Sequence, residues 1–436
     1  MRVLLASDDS GSLKEIIFNR GTNTSIKTAL QPFHIDIHLN QGLSNRIDKI
    51  YHVSDSLLLL ARHSGSLELV SSKRVSKDVD ETNEPKYDVT EFELQDLISG
   101  LFDQSVLDTL SSKSKKKSKI EDQFVELYLI KKSAKNPIFL AATKSGNVTI
   151  IEVDLHSTKI SKIASHKIKA PVEFVTLYDL DKSDKFVMAY GGEENLVRLI
   201  ELSSDFKEIS DIWAAKNVPF DNIGLRVPAW DVALRFLESE KNGVYNFITI
   251  TKYAQLRKYS TNAEDCRPVK SITLLPKGEQ LNSCKIIGDT SPLGNFQSSN
   301  FDELEFLAAD SRKDVYQFNG KGRLLRKIAK GDITGFASCI AVTDKYLLQG
   351  GLDRYVRIFD LADYKLLAKI FTGGKVSDII LLEDNDLELP LTEKQLKMKK
   401  KKEAKRSIVE ADEDAENEDL WNKLESKKRK VSKNDI

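Results

Sequence analysis

A pair of short apolar segments joined by a tight polar turn recurs seven times in this chain, and that recurrence constrains the fold more than any other feature. The first copy runs Val3–Ala6, turn Ser7–Gly11, Leu13–Phe18, and the second Leu57–Ala61, turn Arg62–Gly65, Leu67–Val70. Ile138–Ala142 with Val148–Val153 and Phe186–Tyr190 with Leu196–Leu202 follow, around turns at Thr143–Gly146 and Gly191–Asn195. The remaining copies are Phe247–Thr251 with Leu256–Tyr259, Glu305–Ala309 with Val315–Phe318, and Tyr346–Gln349 with Tyr355–Asp360. Each reads as a β-hairpin, with β-branched and aromatic residues in the arms. Gly, Asn or Asp stands in most turns, where a positive φ costs little.

Seven hairpins demand a fold that closes, because an open array leaves long unpaired edges that template aggregation. Radial repetition into a propeller leaves only short edges. Dividing roughly 385 residues among seven blades gives about 55 each, or about 48 without one polar insertion, near the WD-repeat period. Ile47–Val53, Phe124–Ile130, Val172–Leu177 and Val232–Leu237 lie between hairpins and suit innermost strands. Lys365–Phe371 suits the outer strand of the last blade. Val376–Leu382 then looks like an innermost strand without a hairpin, while the chain begins with a hairpin lacking one. The expectation is an all-β, seven-bladed WD-type β-propeller over residues 1–385, closed where Val376–Leu382 pairs beside Arg2–Ala6.

Two segments fall outside this pattern. Residues 71–120 read as a polar insertion whose middle, Phe92–Leu110, spaces Phe92, Leu94, Leu97, Ile98, Leu101, Phe102 and Leu107 roughly as a short amphipathic helix or docking motif does. It ends in a serine–lysine tract, Ser111–Lys119. Residues 386–436 read as a disordered charged tail, since blocks of like charge cannot bury enough apolar surface to order themselves.

Lysine plus arginine equals aspartate plus glutamate, 66 each, so no overall field draws the chain to nucleic acid or membrane. The tail from Lys394 carries 14 basic against 10 acidic residues, which leaves the ring slightly acidic. Cys266, Cys284 and Cys339 make no C-x-x-C pair, which argues against zinc and disulfides and fits a reducing compartment. The first residues lack a secretory signal, and no apolar run reaches bilayer length.

No cofactor is implied. His34 and His38 are the one close histidine pair, and the alternation of Ile35, Ile37 and Leu39 around them reads as strand or loop without a third ligand. Phosphate-loop, nucleophile-elbow and zinc-helix motifs are absent, and Gly373-Gly374-Lys375 reads as a turn between blades. Glu193, Glu194 and Asp353 are better turn-stabilisers than an acid–base pair. Lys399, Lys400, Lys401, Lys402, Lys405 and Arg406, with Lys427, Lys428, Arg429 and Lys430, flank an acidic block and have nuclear-import character. Trp421, in Leu420–Leu424, is an aromatic island that suits a partner contact.

Several stretches are familiar. Gln31–His34, Ala170–Phe174, Ala189–Leu196, Arg226–Pro228, Tyr346–Asp360 and Leu420–Leu424 resemble the fungal Nop-seven-associated WD-repeat family of ribosome assembly, from the start of the chain into its tail. Phe359-Asp360 stands where many repeats have Trp-Asp, and the usual Gly-His dipeptides are missing. The resemblance implies a nucleolar assembly factor of precursor large ribosomal subunits, a monomer within a larger complex. It also implies that the factor joins others on the early particle and is stripped off by an AAA-type ATPase. On this reading a non-catalytic ring presents Arg226, Trp230, Glu193, Glu194, Asp353, Arg354 and Arg357 as exposed partner-binding candidates. The competing reading is direct contact with precursor rRNA through the lysine-rich insertion and tail, which would be strongly salt-dependent. A hydrolase would need a polar cluster in the central channel that no spacing here predicts.

Overall fold

In a computed structural model, residues 1–76, 86–113, 120–178, 186–220, 223–276, 278–287 and 302–388 are described, apart from 238, 240, 242 and 303. Residues 1–75 and 89–386 form one compact unit. It holds seven four-stranded antiparallel sheets.

Blade 1 contains β1 (Arg2–Ser7), β2 (Ser12–Ile17) and β3 (His34–His38), and blade 2 contains β4 (Ile47–Ser54), β5 (Leu57–Arg62), β6 (Ser66–Ser76) and β7 (Asp88–Ile98). Helix α1 (Gln104–Lys113) leads to blade 3, made of β8 (Phe124–Lys131), β9 (Ile138–Thr143), β10 (Asn147–Asp154) and β11 (Lys159–Lys167). Blade 4 is β12 (Phe174–Tyr178), β13 (Phe186–Gly192), β14 (Asn195–Leu202) and β15 (Ile209–Ala214). Blade 5 is β16 (Asp231–Leu237), β17 (Asn246–Thr251), β18 (Gln255–Ser260) and β19 (Lys270–Thr273). Blade 6 is β20 (Leu281–Ile286), β21 (Glu305–Asp310), β22 (Val315–Asn319) and β23 (Leu324–Ile328). Blade 7 is β24 (Ala337–Val342), β25 (Tyr346–Gly351), β26 (Tyr355–Asp360) and β27 (Leu366–Phe371). The last strand, β28 (Val376–Glu383), returns to blade 1, whose order is β28-β1-β2-β3.

The apolar runs make sense once each blade is seen to face two neighbours. Leu57, Leu59 and Ala61 enter the core shared by blades 2 and 3, while Leu58 and Leu60 enter the core shared by blades 1 and 2. Strands alternate side chains between faces, so a strand buried on both must be apolar throughout. Seven such cores, one per blade junction, hold the ring. Innermost strands are also stitched to their neighbours. The Ser338 hydroxyl donates to the Val376 carbonyl at 2.5 Å and Ser377 to Ile47 at 2.7 Å. Asp378 accepts the Ile50 N–H at 2.9 Å and Asp48 that of Phe124 at 3.1 Å. Tyr128 donates to the Val175 carbonyl at 2.8 Å, and Thr176 to that of Leu234 at 3.2 Å.

Closure follows the sequence expectation. β28 pairs antiparallel with β1 from Arg2↔Glu383 to Ser7↔Val376, with irregularities at both ends. A second contact crosses the same junction. Residues 21–24 lie along the outer edge of β27, where Thr24 N–H donates to Lys369 O (3.0 Å) and Lys369 N–H to Thr22 O (2.9 Å).

Three expectations are corrected. Segment 71–120 is not a free insertion: β6 extends into it, and Asp88–Ile98 is the outer strand of blade 2. Phe92, Leu94, Leu97 and Ile98 are therefore strand residues, and the helix begins only at Gln104. The period-two run Val89-Thr90-Glu91-Phe92-Glu93-Leu94 completes a blade that would otherwise have three strands. Second, the left-handed turn position is not reserved for Gly, Asn or Asp. Glu194 (φ 50°), Ala254 (φ 55°) and Arg354 (φ 64°) take it in blades 4, 5 and 7. Ala254 is fully buried in the core between blades 5 and 6, and its N–H and C=O are both bonded. Packing there outweighs the roughly 1–2 kcal/mol cost of that conformation. Third, Arg357 and Asp353 are not exposed, as described below. The tail residues, including Trp421 and both basic clusters, and the tract from Ser114 to Lys119 lie outside the described residues.

Gly11 shows what a turn glycine does here. Its φ is 58°, and an added Cβ would run into the Gly42 carbonyl of the neighbouring loop. Gly42 has φ 78° but open space around it. Gly11→Ala is expected to cost about 2–4 kcal/mol and Gly42→Ala only about 1–2 kcal/mol. Denaturant unfolding of the two variants checks this, and equal costs would refute the role of the close approach.

Candidate functional site

Four of the sequence-predicted residues meet at one place, the turn-bearing edge of blades 4 and 5. The β13–β14 turn is anchored by Asn195, fully buried, whose side-chain amide donates to Lys169 O at 2.7 Å and Pro171 O at 3.1 Å. Glu193 forms an antiparallel bridge with Trp230, and Glu194 N–H donates to Ala229 O at 2.8 Å. The Glu194 carboxylate then pairs with Arg226 at 2.8 Å, both side chains about half exposed. Lys252 N–H donates to Trp230 O at 2.8 Å, and its ammonium lies 4.1 Å from the indole centroid. Such a contact favours a fixed ring orientation.

The loop that carries Arg226 also presents residues not anticipated from the sequence. The Asn217 side-chain amide donates to Val227 O at 2.7 Å and ties its neck. Above that tie, Phe220, Ile223 and Leu225 are 70%, 77% and 59% exposed. Scattered exposed apolar residues are ordinary, but three on one tethered loop beside an arginine and a tryptophan form a patch. The signal was available: Pro219 and Pro228 bracket apolar residues that fit neither strand nor helix period.

The other predicted group does a different job. Arg357 is 1% exposed and donates to Asp353 at 2.7 Å, Asp332 O at 2.8 Å and Gln349 at 3.1 Å. Burial works against the charge of Asp353, but the hydrogen bond and positive charge of Arg357 outweigh it and hold the carboxyl below its usual range. These two residues fasten the turn of blade 7 to the preceding loop, and only Arg354 of that trio is exposed.

Among the described residues no group of three His, Cys, Asp or Glu could hold a metal ion. No described helix is long and apolar enough to cross a membrane. Burial pushes the Cys284 thiol up to about 12 and that of Cys339 further in the same direction. A raised thiol pKa contributes stability below the unfolded value near 9, which is lost as pH rises through about 12. At pH 8, iodoacetamide should therefore alkylate Cys284 on the order of a hundredfold more slowly in the folded than in the unfolded protein. Mass spectrometry of timed samples checks this, and equal rates would exclude the burial described.

The fold is a seven-bladed β-propeller. Over 98% of its length the chain is 45% identical to ribosome biogenesis protein NSA1 of Saccharomyces cerevisiae, covering 97% of that protein. It is 40% identical to the protein of the same name from Eremothecium gossypii, with 99% of each chain covered. The chain belongs to the NSA1 family of ribosome biogenesis proteins. No family model matches it. Among solved structures it is similar to Saccharomyces cerevisiae Sqt1 (TM-score 0.49, 11% identity, 88% of this chain and 86% of that one). It is also similar to the C-terminal WD40 domain of Sif2 (TM-score 0.43, 12% identity, 78% and 89%).

Proposed function

We propose that this protein is a non-catalytic scaffold in ribosome biogenesis, a nucleolar assembly factor of pre-large-subunit particles that takes part in rRNA processing through the partners it holds. The observation that carries the platform reading is the tethered loop presenting Phe220, Ile223 and Leu225 beside the Arg226–Glu194 pair and Trp230. Aromatic and arginine side chains grouped with apolar neighbours are the usual anchors of protein interfaces. Near full-length likeness to ribosome biogenesis proteins supports the process. In this reading the ring ends near residue 385, the basic clusters after it direct nuclear import, and Trp421 adds a partner contact. An AAA-type ATPase then releases the protein from the particle.

The test is purification of the tagged protein from nuclear extract at moderate salt, with partners identified by mass spectrometry and RNA by sequencing. Large-subunit assembly factors should be recovered with the intact protein, and also when a foreign nuclear-import signal replaces residues 389–436. They should be lost when Phe220, Ile223 and Leu225 are all changed to serine. Recovery of precursor rRNA that disappears with the tail, while assembly factors are unaffected by the serine variant, would favour direct RNA binding instead.

A further inference from the structure

A surface cavity of about 230 Å³ opens between blades 3 and 4. Its lining combines Ile168, Ile200 and Ile209 with Lys167, Lys169, Arg198 and the phenol of Tyr190. Arg198 on β14 sits opposite Tyr190 on β13, so the backbone register holds guanidinium and phenol side by side. Tyr190 is 3% exposed, and burial raises its pKa, so the phenol is a hydrogen-bond donor. Lys167 is already paired with Asp103 at 2.7 Å. Arg198 and Lys169 make no side-chain ion pair or hydrogen bond among the described residues, although Asp211 also lines the cavity. Against Asp211, Arg198 and Lys169 leave one excess positive charge at the cavity, which favours an anion there.

We propose that this cavity takes one glutamate-like carboxylate side chain from a partner protein. Arg198 grips the carboxylate through its forked N–H groups, Lys169 closes over it from the rim, and the ligand's methylenes lie on the isoleucines of the lining. The guanidinium fork matches a carboxylate, and the three isoleucines of the lining match the short apolar stem that carries one. A nucleic-acid strand fits less well. Asp211 lies in the lining itself, so an extended polyanion would meet a carboxylate beside the basic residues. Only the origin of the carboxylate, a partner protein, rests on the platform reading above.

The experiment uses the full chain labelled with nitrogen-15 arginine, with the Arg198 Nε–Hε signal identified by its loss in Arg198→Lys. N-acetylglutamate amide should shift that signal saturably, and N-acetylglutamine amide should not. Lys169→Glu, at an exposed position, should weaken the response about tenfold or more. The proposal is overturned by no response at tens of millimolar, by an equal response to the glutamine compound, or by a tighter response to decauridylate. Failure of the platform reading looks different. The Arg198 signal would still respond to the glutamate compound, while no assembly factor would be recovered with any form of the protein.

Discussion

Ending the chain at Lys375 is expected to abolish the folded state, whereas ending it after Glu388 is expected to leave a cooperatively melting ring. β28 supplies the innermost strand of blade 1, and its removal leaves the edge of β1 unpaired along six residues. Val376 and Ile379 vanish from the core that holds Val3 and Leu5, and Ile380 and Leu382 from the one that holds Leu4 and Ala6. The stitches from Ser338, Ser377 and Asp378 to blades 7 and 2 go with them. Two of the seven blade junctions open at once. Since a typical domain is stable by only about 5–15 kcal/mol, that loss exceeds what the rest can hold. Circular dichroism with thermal melting of both truncations is the measurement. A soluble chain ending at Lys375 with a cooperative transition would refute the closure argument.

Arg62→Ala should be the most destabilising single change in the region between blades 1 and 2, by about 3–5 kcal/mol. The Arg62 side chain is fully buried. Its Nε donates to Glu68 at 2.8 Å, and its terminal nitrogens reach Gly11 O at 2.6 Å and Asn45 O and Leu39 O at 3.1 Å. One guanidinium thereby holds the turn of blade 1, the loop after β3 and the second hairpin together. Truncation leaves a nearly buried Glu68 carboxylate, which among the described residues keeps a side-chain hydrogen bond from Gln41 alone, and frees three carbonyls. Most of the cost comes from that stranded charge, so the double change Arg62→Met with Glu68→Leu should recover a large part of it. Denaturant unfolding of the single and double variants checks both claims. An Arg62→Ala loss below about 1 kcal/mol would mean that water reaches the site and solvates Glu68.

The hairpins and the closing strand were legible in the sequence because a strand buried on both faces must be continuously apolar, as Leu57–Ala61 and Leu347-Leu348 are. Four innermost strands were legible from their apolar residues alone, although Ile47–Ser54 also carries Asp48, Lys49 and His52. The innermost strands of blades 6 and 7 were not. Leu281-Asn282-Ser283-Cys284-Lys285 is half polar because one side of such a strand faces the channel. Strand β7 was misread as helical since Leu94, Leu97, Leu101 and Leu107 share a spacing that also fits a helix. Only the need for a fourth strand in blade 2 decides it. Among the site residues, Arg226 and Arg357 both stand near turns with acidic neighbours, and nothing local separates them. Arg357 is buried because the loop carrying Asp332 folds over it, a contact 25 residues away in sequence. The apolar loop at Phe220–Leu225 carried its signal openly, as hydrophobic residues that no strand could use.

The direction in which β28 enters blade 1 also decides how the molecule answers to force. Its far end, Glu383, lies opposite Arg2, and the residues after it are tied to the ring: the Arg20 guanidinium donates to the Asp384 carbonyl and to the Asp386 carboxylate at 2.8 Å each, and Lys345 to the Asp384 carboxylate at 3.0 Å. Tension applied beyond Asp386 loads those ties first, then the pair Arg2↔Glu383 and each pair toward Ser7↔Val376 in turn. The ladder is peeled rather than sheared, so its bonds bear the load singly instead of together. At the outer rim the same junction is held by residues 21–24 against β27, directly after Arg20 in the chain. A ring closed by one terminal strand is thus opened from a single handle once the Arg20 ties give.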